Sequence, residues 1–193
     1  AYDFPERTAC VFAQVQIPYR MLVDMVHRMA TVLHKLGVKK GDRVALMLPN
    51  SPHFVIAFFA AARLGAIVVN TNPTYTAREL KQQLNDSGAE TIVLLNLFYP
   101  RLKEIKAETA VKNVVVAHIY DTLPFPFKQL VHSRQQREHD WVDVAGEPGV
   151  ALFDHLLATT EPAPAPAARP DDVALFQYTG GTTGVPKAAM LTH

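Results

Sequence analysis

The regular alternation of amphipathic helix patterns with short apolar strand patterns between residues 19 and 119 constrains the fold of this chain most. Apolar residues recur at helical spacing over 19–37, which predicts a helix that ends near Gly37. The sequence predicts further elements of both kinds, which are helices over 50–65, 74–88 and 99–108 and buried strands over 42–49, 66–70, 90–95 and 113–119. Apolar strands separated by amphipathic helices are typical of a parallel sheet covered on both faces. We therefore expect an α/β protein with a mostly parallel sheet flanked by helices.

Two of these helices carry recognisable start signals. Ser51 precedes Pro52, which is the order expected of an N-cap followed by the first helical residue. Thr76 and Glu79 have the spacing of a capping box. Both signals predict where the chain enters a helix.

The pattern loosens after residue 119. Residues 150–158 are predicted to form one helix, and the apolar cluster over 123–131 is predicted to pack on its own domain rather than on a membrane. Residues 161–170 are rich in proline and are expected to form a stiff connector. The predicted organisation is an α/β subdomain over 1–158, a connector over 159–171 and a hairpin over 172–193.

Composition and missing motifs exclude several classes of function. The net charge is +1, and no basic run interleaves with aromatic residues, so nucleic-acid binding is not expected. The single cysteine, Cys10, rules out an internal disulfide and any multi-cysteine metal site. The sequence contains no GxSxG, HExxH or GxGxxG motif and no apolar run of the roughly twenty residues that a membrane span requires. It also opens without a signal-peptide pattern.

The closing segment "GGTTGVPK" (residues 180–187), here called the phosphate loop, lies between predicted strands over 172–179 and 188–193. Glycines allow successive backbone N–H groups to face an anion, threonine hydroxyls donate to phosphate oxygens or bind a hard cation, and a lysine adds positive charge. Three residues separate Gly180 from Gly184, and Lys187 does not follow the second glycine, so the loop is not a Walker A motif. The sequence therefore predicts a phosphate-binding loop at the tip of a β-hairpin.

The stretch "YTGGTTGVPKAAMLTH" (178–193) resembles the signature of the adenylate-forming superfamily, roughly Tyr-Thr-Ser-Gly-Thr-Thr-Gly-x-Pro-Lys-Gly. Gly180 stands where many members have serine, as in the bacterial long-chain fatty-acyl-CoA synthetases. Ala188 replaces the usual glycine, which matters only if the backbone there needs a positive φ. The similarity extends upstream over 33–90 and weakens over 120–170.

The resemblance implies a ligase that uses ATP and Mg²⁺ to convert a carboxylate into an acyl-adenylate and then transfers the acyl group to coenzyme A. It assigns the binding of the β- and γ-phosphates to Thr179, which precedes the loop, and to the loop residues Gly180, Gly181, Thr182 and Thr183. Thr182 is the residue expected nearest Mg²⁺, and Lys187 anchors the loop or follows the leaving group. Gly184 and Pro186 shape the loop without contacting the ligand. No catalytic residue is assigned within this chain.

Several alternatives stay open. The substrate is a fatty acid, or an aryl or other carboxylate as in related ligases and adenylation domains; a non-catalytic phosphate-binding module is a third interpretation. The chain starts with Ala1 and ends within "MLTH", so we expect the amino-terminal piece of a longer protein, inactive alone. The resemblance suggests a cytoplasmic location and leaves peripheral membrane contact, at the inner face, and a homodimer open.

Overall fold

A computed structural model describes residues 1–123, 126–137, 142–144, 146–161, 168–179 and 187–193. The strands are β1 Thr8–Phe12, β2 Val15–Pro18, β3 Arg43–Met47, β4 Ile67–Asn70, β5 Thr91–Leu95, β6 Asn113–Ala117, β7 Val150–Leu152, β8 Val173–Thr179 and β9 Lys187–Thr192. The helices are α1 Tyr19–Lys35, α2 Pro52–Arg63, α3 Ala77–Ser87, α4 Tyr99–Ile105, α5 Phe127–Arg137 and α6 Phe153–Thr159, with 3-10 turns at Asn96–Phe98 and Lys106–Glu108.

Seven of these strands form one sheet in the order β7-β6-β5-β3-β4-β8-β9. Every neighbouring pair from β7 to β8 is parallel, and only β9 runs antiparallel to its neighbour. The predicted α/β class with a mostly parallel sheet is confirmed. Since parallel strands end at a common edge, the loops after β3, β4, β5, β6 and β8 all leave the sheet on one side.

Alternation of side chains along the strands builds a hydrophobic core on each face. Val44 and Leu46 of β3 point to the core formed with α1, α2 and α6. Ala45 and Met47 point to the opposite core, formed with α3 and α4. A strand buried on both faces reads as a continuous apolar run, which is why the sequence pattern identified it.

The two predicted helix starts have different outcomes. Thr76 forms the capping box, because its hydroxyl oxygen accepts the Glu79 N–H at 3.3 Å and the Glu79 carboxylate accepts the Thr76 N–H at 2.8 Å. Ser51 is the N-cap of α2 by position, with Pro52 in the first turn, but its side chain makes no capping hydrogen bond. The buried Ser51 hydroxyl oxygen has no hydrogen-bond partner.

Two segments differ from the sequence-based predictions. The single helix predicted over 150–158 is wrong, because Val150–Leu152 forms strand β7 beside β6 and the helix begins only at Phe153. The amino-terminal hairpin of β1 and β2 was not predicted at all. Its tight turn places Ala13 and Gln14 at positive φ, a conformation that glycine or asparagine usually marks.

The surface of the carboxyl-terminal half carries several exposed apolar side chains. Leu123 is buried, as predicted for the 123–131 cluster, but Phe127 and Leu130 on α5 are 55% and 62% exposed. Met190 and Leu191 on the edge strand β9 are 68% and 48% exposed. Among the described residues, no helix combines the length and apolar character required to cross a membrane.

Candidate functional site: the base of the phosphate loop

Strands β8 and β9, which flank the phosphate loop in the sequence, pair with each other, and β8 ends at the sheet edge where the other parallel strands end. Both strands that the sequence predicted around the loop are present, and their register pairs Thr179 directly with Lys187. Five predicted site residues lie outside the described residues, and these are Gly180, Gly181, Thr182, Thr183 and Gly184. Pro186 also lies outside them. The structure therefore describes Thr179, which precedes the loop, Lys187, which ends it, and the framework that holds both.

Thr179 and Lys187 are exposed at the base of the loop. The Thr179 hydroxyl donates to the Lys187 carbonyl oxygen at 3.3 Å, which closes the hairpin across its last paired residues. Because a hydroxyl has a single proton, Thr179 donates to a phosphate through its side chain only when this bond opens. The Lys187 ammonium extends from the exposed end of β9, where an anion can reach it.

The Ala188 position causes no backbone strain. Ala188 pairs with Tyr178 within the regular hairpin, and its φ is not among the positive values of the described residues. Alanine therefore replaces the glycine of the signature at little cost, as expected for a position with negative φ.

Tyr178, the residue that precedes Thr179, anchors the loop to helix α3. Its hydroxyl donates to the Asp86 carboxylate at 2.5 Å, a short charge-assisted hydrogen bond. Tyr178 is only 8% exposed and packs in the core that α3 and α4 share with the sheet. Burial raises the pKa of Tyr178 well above its usual range, and the hydrogen bond to Asp86 and its negative charge act in the same direction. The phenol therefore stays protonated and acts only as a donor to Asp86.

A second polar connection joins the strands beside the loop. The Asn70 amide at the end of β4 donates to the Gln177 side-chain oxygen at 2.9 Å. The Gln83 amide on α3 in turn donates to the Asn70 carbonyl oxygen at 3.0 Å. Helix α3 is thus bonded both to β4 and, through Tyr178, to β8, so the base of the loop has a fixed position.

The sequence analysis missed these supporting residues. Asp86 and Tyr178 are 92 residues apart, and Asn70 and Gln177 are 107 residues apart. Only the polar character of Asn70 and Gln177 within otherwise apolar strands hinted at a role. Nothing in the local pattern identified Asp86, because an acidic residue on the outer side of a helix is ordinary.

The described part of the site presents a lysine and a threonine at an exposed edge of the sheet. In the described ranges, no group of three histidine, cysteine or acidic residues is placed to hold a metal ion. The loop itself offers backbone N–H groups, two threonine hydroxyls and the Lys187 ammonium. Hydroxyl oxygens are suited to a hard cation such as Mg²⁺, which usually binds with several waters and phosphate oxygens. The residue types of the loop therefore fit a nucleotide polyphosphate together with Mg²⁺.

Comparison with known proteins identifies relatives across the whole chain. A protein-family model described as AMP-binding enzyme matches residues 1–193. A long-chain-fatty-acid–CoA ligase of Bacillus subtilis is 36% identical, over 100% of this chain and 35% of that protein. One from Escherichia coli O157:H7 is 42% identical, over 91% of this chain and 32% of that protein. A 4-coumarate–CoA ligase of Humulus lupulus is 35% identical, over 89% of this chain and 27% of that protein.

Solved structures share the fold. A long-chain-fatty-acid-CoA ligase from Archaeoglobus fulgidus superposes with a TM-score of 0.75 at 28% identity, covering 99% of this chain and 34% of that one. An anthranilate CoA ligase in complex with anthranoyl-AMP superposes with a TM-score of 0.81 at 21% identity, covering 98% and 32%. The chain thus spans about a third of the length of the proteins that it matches.

Proposed function

The chain belongs to the AMP-binding enzyme family, and from that membership we propose that it is the amino-terminal part of an ATP-dependent ligase that couples a fatty acid to coenzyme A. The observation that carries this proposal is the identity of 36% and 42% to two bacterial long-chain-fatty-acid–CoA ligases, over 100% and 91% of the chain. The phosphate loop agrees with it, because its residue types suit the triphosphate of ATP.

The proposed reaction has two steps. The substrate carboxylate oxygen attacks the α-phosphorus of ATP, which forms an acyl-adenylate and releases pyrophosphate. The thiol sulfur of coenzyme A then attacks the acyl carbon, and AMP leaves. A carboxylate is a poor electrophile, so the first step gives the acyl carbon a good leaving group. Negative charge develops on the departing pyrophosphate, where hydrogen-bond donors and cations lower the barrier.

The phosphate loop supplies those donors in our proposal. Backbone N–H groups of Gly180 and Gly181, with the hydroxyls of Thr182 and Thr183, bind the β- and γ-phosphates. Thr179 joins them at the start of the loop, and Gly184 gives it the required bend. Lys187, exposed at the other end, follows the charge of the leaving pyrophosphate. Mg²⁺ when bound neutralises part of the phosphate charge, and the Thr182 hydroxyl is the ligand that we propose for it.

Long-chain fatty acids are the proposed substrates, and aryl acids are the second candidate. The second candidate is supported by the 4-coumarate–CoA ligase of Humulus lupulus, which is 35% identical over 89% of this chain. The deciding experiment measures carboxylate-dependent pyrophosphate release by the complete protein that contains this chain, with octanoate, palmitate, benzoate and 4-coumarate in parallel. Preference for palmitate supports the proposal; preference for 4-coumarate moves the assignment to aryl acids. No release with any acid contradicts a ligase and favours a phosphate-binding module.

The 193-residue chain is proposed to be inactive by itself. It spans 32% to 35% of the bacterial ligases it resembles, so most of their length has no counterpart here. Acid-dependent AMP formation by the isolated chain would contradict this part of the proposal. Binding of ATP without turnover would agree with it.

Helix α5 is the surface that we propose for peripheral membrane contact. Phe127, Leu130, Arg134 and Arg137 are all exposed and fall within one side of the helix at 100° per residue. The helix contains no acidic residue between Phe127 and Arg137. Exposed apolar side chains next to arginines suit an anionic lipid surface, since the apolar groups insert and the cations lie near the headgroups. A cytoplasmic location and a homodimer stay predictions, which cell fractionation and light scattering would check.

A further inference from the structure

An apolar groove of about 440 Å³, here called the α1–α2 groove, lies between the first two helices. Most of its wall consists of apolar or aromatic side chains from these helices, namely Tyr19, Leu22, Val23, Val26, Phe59 and Ala62. Its described lining includes neither end of the phosphate loop and no side chain of α5. The groove is therefore separate from both surfaces discussed above.

Helix α2 is apolar on all its sides. It contains no acidic or basic residue, apart from the buried His53, until Arg63 at its end. Phe59 on this helix is nevertheless 54% exposed, and Tyr19 on the facing helix is 37% exposed. A helix that is apolar all round normally lies in the interior of a protein. The described residues of this chain leave its outer face open, which indicates that another segment covers it.

The ionisable side chains of the groove restrict what can cover it. Burial and the positive charge of Arg63 lower the pKa of His27, so this ring is neutral near pH 7. The described lining contains no acidic side chain, and Arg63 lies at one end of it. A basic segment is disfavoured beside this arginine. An apolar segment matches the groove.

The end of strand β9 lies at this groove, because His193 is part of its lining. The His193 N–H donates to the Asp172 carbonyl oxygen at 3.2 Å, and the Asp172 carboxylate forms an ion pair with Lys40 at 2.6 Å. The preceding residue, Thr192, pairs with Val173 in the hairpin. The hairpin thus fixes the position of His193, so a segment that continues from it begins at the groove.

The length of the relatives provides such a segment. The chain spans 35% and 32% of two bacterial ligases that it matches. The inference rests on the proposal that this chain is the amino-terminal part of such a ligase, so that most of the remaining length follows His193. Ala1 also lines the groove, but its carbonyl oxygen accepts the Phe4 N–H at 3.3 Å within a local turn. His193 is the end that is bonded to the hairpin, which favours the segment after it.

We propose that the segment that follows His193 in the complete protein packs apolar side chains into the α1–α2 groove. Phe59 and Tyr19 become buried by this contact, and the outer face of α2 becomes part of a core. Strand β9 runs from Lys187 to Thr192, directly before His193. The packed segment therefore also restrains the strand that begins at the Lys187 end of the phosphate loop.

Hydroxyl-radical footprinting of the complete protein, without lipid, tests this burial. Phe59, Phe4 and Phe127 are 54%, 53% and 55% exposed, so they form a matched set. Phe59 is expected to be oxidised severalfold more slowly than the other two, at every protein concentration. Oxidation of all three at one rate would overturn the proposal. Protection of Phe59 that disappears on dilution would also overturn it, because it assigns the groove to a second copy.

A photoreactive group identifies the segment that covers the groove. With p-benzoylphenylalanine at position 59, the complete protein is expected to form a crosslink, within one molecule, to a peptide that follows His193. The same group at position 127 is the matched control and should not reach that peptide. A crosslink to a peptide before Ala1 or to a second copy, or no crosslink in folded protein, would contradict the proposal.

Circular dichroism verifies that the protein with the photoreactive group is folded, and if it is not, footprinting of the unmodified protein decides. Neither measurement depends on ligase activity. A negative result at Phe59 therefore leaves the proposed reaction intact. Failure to release pyrophosphate with any acid would contradict the reaction and leave the crosslink unchanged.

Discussion

The Tyr178 hydroxyl on β8, two residues before the phosphate loop begins, donates a 2.5 Å hydrogen bond to the Asp86 carboxylate on α3. The bond connects the strand that carries the loop to a helix that packs on the sheet. Neither residue belongs to the loop, so we expect the pair to position the loop rather than to bind ligand.

Tyr178→Phe should lower the free energy of unfolding by about 1 kcal/mol, since one hydrogen bond is lost and the ring still fills the core. In the complete ligase, it should also raise the KM for ATP severalfold with a smaller effect on kcat. Tyr99→Phe is the matched control, because Tyr99 lies on α4 and its hydroxyl donates to the Glu147 carboxylate at 3.3 Å, a pair that does not involve β8 or β9. Equal changes of KM in both variants would argue against a positioning role. A double-mutant cycle with Asp86→Asn measures the coupling directly.

Lys187→Ala should lower pyrophosphate release by the complete ligase at least tenfold while leaving stability within about 0.5 kcal/mol. The side chain is exposed, so its removal changes little in the folded chain. Its positive charge is what we propose for the leaving pyrophosphate. Lys39→Ala, another exposed lysine in the connection between α1 and β3, serves as the control. Full activity in Lys187→Ala would remove this residue from the mechanism.

Thr182→Val should increase the Mg²⁺ concentration needed for half-maximal pyrophosphate release. Valine keeps the shape of threonine but cannot contribute an oxygen to the ion. Thr183→Val, one residue further along the same loop, tests whether the effect belongs to Thr182 alone. If Thr183→Val shifts the Mg²⁺ requirement and Thr182→Val does not, the assignment of the metal ligand moves by one residue.

His53 should make the chain less stable in mild acid. Burial lowers the pKa of His53 to about 4 from its ordinary value of 6.5, and the nearby Asp121 carboxylate only partly opposes this shift. The unfolded chain therefore binds a proton between these values that the folded chain rejects. The free energy of unfolding is therefore unaffected by His53 above about pH 6.5, and it decreases as the pH falls from there toward 4. Denaturant titrations should give a free energy of unfolding that is about 2 kcal/mol lower at about pH 5 than at about pH 7.5 because of His53.

The control variants for this pH effect differ in burial. His53→Leu should reduce the difference between the two pH values, because both ring nitrogens of His53 lack hydrogen-bond partners and neither is needed. His34→Gln, at an exposed position in the last turn of α1, should leave the difference unchanged. An undiminished difference in His53→Leu would assign the acid sensitivity to other groups.

Phe127→Ser together with Leu130→Ser should weaken binding of the chain to anionic vesicles severalfold, because both apolar side chains are exposed on α5. Cosedimentation with vesicles that contain phosphatidylglycerol measures the effect, and neutral phosphatidylcholine vesicles should bind little. Phe59→Ser is the control, since Phe59 is 54% exposed on a different helix. A similar loss in Phe59→Ser would exclude α5 as the specific contact surface.

The sequence predicted the parallel sheet well because its strands are apolar on both sides and helices such as α1 and α3 have a clear polar face. It failed at Val150–Leu152, where a three-residue strand joins an apolar helix without an intervening turn signal. It also missed the first hairpin, because Ala13 and Gln14 occupy a turn that usually contains glycine or asparagine. Local patterns cannot show such pairings, since these depend on distant parts of the chain.

The candidate site likewise combines a local pattern with contacts between distant parts of the chain. The phosphate loop is a continuous run, and its residue types could be interpreted from chemistry alone. The side chains that hold it, Tyr178 with Asp86 and Gln177 with Asn70, come together only through the order of the strands. In neither pair do the residues around one partner in the sequence indicate the other partner. The supporting network therefore required the structure.

The edge strand β9 has a practical consequence for work with the 193-residue chain. Among the described residues, β8 is its only neighbour in the sheet, and Met190 and Leu191 are exposed on it. An open edge with unpaired backbone groups and apolar side chains can template the addition of a strand from another molecule. Self-association through β9 would make apparent affinities and melting temperatures depend on protein concentration. Dilution series therefore separate the intrinsic properties of the loop from those of an aggregate.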